Sequence, residues 1–342
     1  MSYTVQFADR PERVAVEIGQ TILEAALAAG IPYPHGCRSG NCGACKSELI
    51  DGDVELSPCS DYALSAAERE QGLILACRAV PWSDAAVRWL DPNETAAHPI
   101  RHMSCTVAGL GQATHDIRVV RLAIESGGPF DFSAGQYAQV TFADLPPRDF
   151  SMASQPDEAE IEFHIRTTPG GAVSPYVAGQ LSLGETVRVE GPYGAAHLRE
   201  GHRGPIVALA GGSGLAPIKA IVEAALGRGM SQPITLYFGA RAERDLYLED
   251  HFAALTEKHP NLRFVPVLSE PDGETERRTG FLADALAADF IDLDGAKAYL
   301  AGPPIMVETC TDALRKLGVR RQDVHADAFY TEAEKAKLEA GA

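Results

Sequence analysis

Four thiols carry the plainest chemistry in this chain of 342 residues. Cys37, Cys42, Cys45 and Cys77 follow the spacing C-x4-C-x2-C and then a distant fourth cysteine, the plant-type ligand pattern for a [2Fe-2S] cluster. Two irons need four thiolates converging on them. Cys37, Cys42 and Cys45 can come from one tight loop, and Cys77 returns from a separate apolar run at 73–77. Gly36, Gly40 and Gly43 sit among the ligands, as expected of a loop that turns sharply and brings backbone N–H groups close to sulfur. Structural zinc and paired disulfides are the alternatives. Zinc sites usually show two C-x2-C pairs, and only Cys42 and Cys45 form one here. Cys59, Cys105 and Cys310 stand outside the pattern and read as reduced thiols of a reducing compartment.

A ligand loop needs a frame, and residues 1–92 supply one. Segments 4–7 and 13–18 alternate like two strands of a hairpin. Residues 21–30 begin on a capping Thr21, place apolar side chains at helical spacing and end on Gly30, which predicts a short helix just before the loop. Residues 91–99, polar and broken by two prolines, read as a linker. From 103 to 202 the pattern is short alternating runs, among them 117–122, 137–142 and 161–166, with Gly and Pro between them, which suggests a small barrel. From 203 to 330 strand and helix signals alternate: a buried strand at 205–210, a glycine turn at 211–217, a helix at 218–227, then strands at 233–239, 264–268 and 297–300. That order predicts a doubly wound parallel sheet, with ligands at the carboxyl ends of its strands.

The length exceeds one ordinary core and predicts two or three domains. Thirty basic against 47 acidic side chains give a net charge of -17, which argues against nucleic acid or an anionic membrane as partner. No apolar run is long enough to span a bilayer and the first residues lack a basic-then-apolar leader, so the expected location is the cytoplasm. Residues 1–92 hold 13 acidic and 7 basic side chains, a balance of -6 that could steer a docking partner.

Taken together, the cysteine loop, the Arg148-Asp-Phe150-Ser151 run and the Gly211-Gly212-Ser213-Gly214 turn resemble the reductase components of bacterial aromatic-ring-hydroxylating dioxygenases, most of all the naphthalene-type ferredoxin reductases. The resemblance implies a β-grasp [2Fe-2S] ferredoxin domain at 1–92, a six-stranded antiparallel FAD-binding β-barrel at 103–202 and an NAD(P)-binding domain at 203–330. It places Arg148 on a flavin phosphate, the Phe150 ring on the isoalloxazine and the Ser151 hydroxyl at its redox edge. Phe150 stands where the family usually has Tyr, so a hydroxyl is missing. His164, Ile165 and Arg166, with Gly171, Val173 and Ser174 at a helix start, would hold the rest of FAD; a helix start is a ready anion site. Gly211, Gly212, Ser213, Gly214 and Pro217 resemble the loop that meets the NAD(P) pyrophosphate. Gly302, Pro303 and Met306 would border the nicotinamide, with Ala301 replacing the family's Cys. Phe329 would lie near the flavin face, and the tail 331–342 is expected to fray.

Such a chain would pass electrons from NAD(P)H through FAD and the cluster to a separate ferredoxin of an oxygenase system that degrades aromatic hydrocarbons. A nicotinamide gives two electrons at once and a [2Fe-2S] cluster accepts one, so a flavin must stand between them. No acid, base or nucleophile from a side chain is needed, and no catalytic residue is named. Direct donation to a ring dioxygenase or di-iron monooxygenase is the alternative, and a non-catalytic redox sensor a third. NADH is the expected donor with NADPH also used, because Arg241 and Arg244 could hold a 2'-phosphate while Glu243 or Asp245 could neutralise them. The expected state is a monomer.

Overall fold

A computed structural model describes residues 2–8, 10–90 and 98–334. Most of the expected linker at 91–99 and the end of the tail at 335–342 lie outside the described residues. The chain divides into two compact units, one of Met1–Ala97 with Tyr330–Ala342 and one of His98–Phe329. Among the described residues no helix is long and apolar enough to cross a membrane.

In the first unit β1 (Ser2–Phe7) and β2 (Arg13–Glu17) form the expected antiparallel hairpin. The helix α1 (Ile22–Ala28) follows, because Thr21 Oγ1 accepts the Glu24 N–H at 3.2 Å while Glu24 Oε2 accepts the Thr21 N–H at 2.9 Å. That reciprocal pair satisfies two donors a helix start would otherwise leave bare. The remaining elements are β3 (Lys46–Asp51), β4 (Val54–Leu56), α2 (Ala66–Glu70), β5 (Leu73–Leu75), β6 (Ala79–Pro81) and β7 (Ala85–Trp89). The main sheet runs β2-β1-β7-β3-β5 with β1 and β7 parallel, a β-grasp arrangement. Its core holds Phe7, Tyr33 and Trp89, with ring centroids 5.0 to 6.0 Å apart.

The second unit opens with β8 (Arg101–Gln112), β9 (Ile117–Ser126), β10 (Tyr137–Phe142), β11 (Arg148–Ser151), β12 (Glu160–Arg166), α3 (Val173–Gly179) and β13 (Thr186–Tyr193). These six strands are antiparallel neighbours in the order β11-β10-β13-β8-β9-β12. A bridge between Met152 and Phe163 brings the two edges back together, so the sheet nearly closes into a barrel. Closing it leaves no long bare edge.

Next come β14 (Ile206–Gly211), α4 (Leu215–Gly227), β15 (Ile234–Ala240), α5 (Glu249–Lys258), β16 (Leu262–Leu268), β17 (Arg278–Thr279), α6 (Leu282–Asp289), β18 (Lys297–Gly302), α7 (Pro304–Lys316) and β19 (Val324–Ala328). They build a parallel sheet in the order β17-β16-β15-β14-β18-β19. Every residue of β14 and β18 is buried, as befits strands covered on both faces. The helix after the glycine turn starts at Leu215, three residues before the expected Ile218. Pro217 marks no boundary there: it lies in the first turn, where its missing N–H would have no helical partner anyway.

Candidate cofactor sites

The cysteine loop is held by its own backbone. The Cys37 N–H points at Cys42 Sγ and the Asn41 N–H at Cys37 Sγ, each at 3.2 Å. Cys77 is carried to the loop by β5, where the Ala76 N–H donates to the Cys45 carbonyl at 3.1 Å, and α1 is tied to the same place by Leu23 N–H to Ala76 O at 3.0 Å. A Cβ on Gly36 would sit 2.9 Å from Cys42 Sγ, so only glycine leaves that sulfur its space. A hydrogen bond from Cys42 draws the Cys37 thiol down to about 5, whereas the tie to Cys37 and then burial push Cys42 well above the ordinary thiol range. Cys45 is likewise raised, by Cys77 and then by burial. Cys42 and Cys45, held protonated in this crowded loop, would give up their protons on binding metal, as thiolate ligation of a [2Fe-2S] cluster requires. Outside the loop, Cys59 is half-buried with Arg69 Nη2 at 3.2 Å, while Cys105 and Cys310 are fully buried and pushed up by burial to about 11 and about 12.

In the barrel, Arg148 donates Nη1 to the Pro147 carbonyl at 2.8 Å and pairs with no carboxylate among the described residues, which fits a guanidinium reserved for phosphate. Phe150 packs edge-on between Phe142 and Phe163, with centroids 6.3 and 6.4 Å away. Ser151 donates its hydroxyl to Asp327 Oδ2 at 2.9 Å, joining β11 to β19. Both ring nitrogens of His164 have protein neighbours, Tyr247 Oη and Glu162 Oε1, each at 3.1 Å, and burial lowers the imidazole below its usual range. The Ile165 side chain is in the barrel core, as is Val173. The side chains of 164 and 165 are therefore both engaged inside the protein. Arg166 gives Nε to Asp116 Oδ2 at 2.7 Å, and its Nη1 lies 3.0 Å from where a Cβ on Gly212 would be. It thus sits where barrel and glycine turn meet. Gly171 precedes α3, and Ser174 Oγ accepts the Thr168 N–H at 2.8 Å, which orders that bend.

The parallel sheet brings its two candidate segments together because β14 and β18 are neighbours. A Cβ on Gly214 would come 2.1 Å from the Ala301 carbonyl oxygen, and one on Gly211 2.6 Å from Met306 Sδ and 2.9 Å from Pro303 Cδ. Gly302 has φ +144, a conformation side chains rarely adopt, and lies against Gly211. Gly211, Gly214, Gly302, Pro303 and Met306 are thus one interlocked seat at the strand ends, with Gly212 and Ser213 on its turn and Pro217 buried behind it. Phe329 joins it by donating its N–H to the Gly302 carbonyl at 2.9 Å, and its ring is partly buried against the sheet's core.

Three family models match along the chain: the 2Fe-2S iron-sulfur cluster binding domain at residues 5–81, the oxidoreductase FAD-binding domain at 104–198 and the oxidoreductase NAD-binding domain at 208–312. A Ralstonia ferredoxin–NAD(P)+ reductase component of naphthalene 1,2-dioxygenase and salicylate 5-hydroxylase systems is 41% identical over 92% of this chain and 94% of its own. The reductase component of phenol 2-monooxygenase from Pseudomonas strain CF600 is 35% identical over 98% of this chain and 97% of its own. The crystal structure of an Amycolatopsis cytochrome P450 reductase superposes with a TM-score of 0.78 at 36% identity, covering 96% of this chain and 98% of that one. The chain belongs to the reductase components of multicomponent oxygenases.

The reductase accordingly carries a [2Fe-2S] cluster, FAD and a nicotinamide nucleotide as cofactors. Its rim after β15 is less balanced than the residue types suggest. Glu243 turns away to accept from Thr275 Oγ1 at 2.8 Å, Asp245 Oδ2 lies 3.8 Å from Arg241 Nε, and Arg244 is exposed with no ion pair among the described residues. Sequence reasoning passed over Asp327. Its one signal was its place two residues before Phe329, and nothing in the sequence pointed to its partner Ser151. Tyr247, which reaches both His164 and the Gly212 carbonyl, at 3.1 and 3.4 Å, carried no such signal.

Proposed function

We propose that this reductase takes electrons from NADH and delivers them to a separate ferredoxin of an aromatic-ring-hydroxylating dioxygenase system. The observation that carries the reading is the Ralstonia relative, a ferredoxin–NAD(P)+ reductase component similar over 92% of this chain. When bound, FAD would supply two-electron acceptance from the nicotinamide and the cluster one-electron transfer onward. The chain's part is to bind and orient. Cys37, Cys42, Cys45 and Cys77 hold the cluster, and Arg148 anchors a flavin phosphate while Phe150 and Phe329 border the ring system. Ser151, oriented by Asp327, presents its hydroxyl to the ring's edge. His164 and Ile165 serve through the main chain, Arg166 through its charge, and Gly171, Val173 and Ser174 shape the bend beside FAD. Gly211, Gly212, Ser213, Gly214 and Pro217 seat the dinucleotide's pyrophosphate, Gly302, Pro303 and Met306 flank the nicotinamide, and Arg241 and Arg244 read the ribose.

We assign the domains to 1–92, 103–202 and 203–330, and the protein to the cytoplasm, where NADH is available and thiol ligands stay reduced; it acts as a monomer. A second reading, direct donation to an oxygenase, draws support from the likeness to the phenol 2-monooxygenase reductase component. Purified reductase, NADH and either a [2Fe-2S] ferredoxin or a terminal oxygenase alone separate the two. Rapid reduction of the ferredoxin and slow reduction of the oxygenase are expected; the reverse order would establish the second reading.

A further inference from the structure

The turn between β8 and β9 brings His115 and Asp116 up to Asp245, which ends the short helical turn after β15. His115 Nδ1 lies 3.6 Å from Asp245 Oδ1; Asp116 Oδ2 lies 4.0 Å from the other ring nitrogen, Nε2, so an ion held at Nδ1 takes Asp116 at the longer distance. One ligand atom from each of the three falls within 4.8 Å of the others. Asp245 is the decisive member. The residue is 8% exposed, its Oδ2 accepts the Ala242 N–H at 3.1 Å, and its buried Oδ1 accepts no hydrogen bond. Leaving a buried carboxylate oxygen without a donor is costly, and the 3.6 Å gap to the imidazole is too long for a hydrogen bond. It suits two ligands of one ion, since metal bonds of about 2.0–2.2 Å hold neighbouring donor atoms roughly 3.5 Å apart.

Asp116 is already steadied for such a role. Its Oδ1 accepts from Thr114 Oγ1 at 2.9 Å and its Oδ2 from Arg166 Nε at 2.7 Å, leaving a lone pair on each oxygen. Hydrogen-bonded carboxylates of this kind are what orient metal ligands in known sites. The His115 side chain is 46% exposed, so an ion has a way in and water can complete its coordination. An imidazole among the donors favours a transition cation over Mg2+ or Ca2+, which prefer oxygen alone.

We propose that His115, Asp116 and Asp245 form a binding site for a divalent cation of the zinc class, which clips the barrel's hairpin turn to the nucleotide-binding sheet. The cluster cysteines take no part in it. The test uses holo-reductase treated with a mild chelator, with iron and FAD measured before and after so that cluster loss is seen. Dialysis against Zn2+ followed by metal analysis should show one tightly held Zn2+ and a higher melting temperature. His115→Ala alters an exposed turn, and Asp245→Asn keeps an oxygen for the Ala242 N–H. Each should retain iron and FAD and weaken Zn2+ binding by about tenfold or more. Failure of the parent to bind Zn2+, binding by either variant as tight as the parent's, or Mg2+ binding as tight as that of Zn2+ would overturn the assignment.

Discussion

Arg241 and Arg244 share a loop but not the same electrical company. Asp245 partly answers Arg241, whereas Arg244 meets no carboxylate among the described residues, so if the loop reads a 2'-phosphate, as proposed, Arg244 should be its stronger partner. Arg244→Ala should raise the KM for NADPH by roughly tenfold, in line with about 1.5–3 kcal/mol for a hydrogen bond to a charged group, and that for NADH by much less. Arg241→Ala should show a weaker form of the same asymmetry, and equal shifts for both nucleotides would remove the loop from 2'-phosphate recognition. Arg148→Ala should cost FAD roughly 1.5–3 kcal/mol of affinity, read by flavin fluorescence on titrating the apoprotein. Residue types and spacing made the cysteines legible in the sequence, whereas Arg148 and the glycine turn stood out only through the family resemblance, since either pattern alone also fits an ordinary strand or a tight connection. Asp327 was not legible in that way: its partner Ser151 is 176 positions off, and only the folded unit makes them neighbours.

Elements were easier to read than their ends. The parallel strands appeared as apolar runs and the barrel strands as alternation, but α4 began early because a proline suits a first turn as well as a boundary. The two segments were read separately, but their interlocking between β14 and β18 could not be, since it is a meeting of main chains. Gly214→Ala tests it. The added Cβ would sit 2.1 Å from the Ala301 oxygen, so the strand ends must part. Overpacking of this sort costs about 1–3 kcal/mol; KM for NADH should rise and melting temperature fall while FAD content holds. A variant with parental KM would show that the seat does not carry the nucleotide. The stretch β18 to β19 also sets an acid limit. Burial, then Arg199 and Lys297, hold His325 well below the ordinary imidazole range, so it is neutral when folded. A depressed value stabilises above the unfolded value of about 6.5 and is lost as pH falls below it. Burial alone would raise Asp323, but hydrogen bonds from Lys297 at 2.8 Å and Arg320 at 2.6 Å win and lower it, so its contribution goes only below about pH 4. Melting temperature should drop by a few degrees between about pH 6.5 and 5. His325→Phe, which keeps a ring against Tyr299, should lessen that first decline, to which the buried His164 also contributes, and an unchanged decline would rule His325 out.

At the scale of the molecule, separate folded units let entry and exit be tested apart. Cys37→Ser, or the same change at Cys42, Cys45 or Cys77, should leave flavin bleaching by NADH intact and abolish reduction of an iron–sulfur acceptor. Loss of bleaching in a well-folded variant would put the cofactors in another order. The remaining thiols give the experimenter a gauge. Cys105 and Cys310 are sealed in the second unit and burial keeps them protonated, and Ala301 offers no sulfur beside the nucleotide seat. An alkylating reagent applied to native, cluster-bearing protein should therefore mark Cys59 alone, and slowly, since burial raises its thiol too. Each label beyond the first would count a cysteine released from iron, so the mass of the intact chain becomes a running record of cluster decay during purification or turnover.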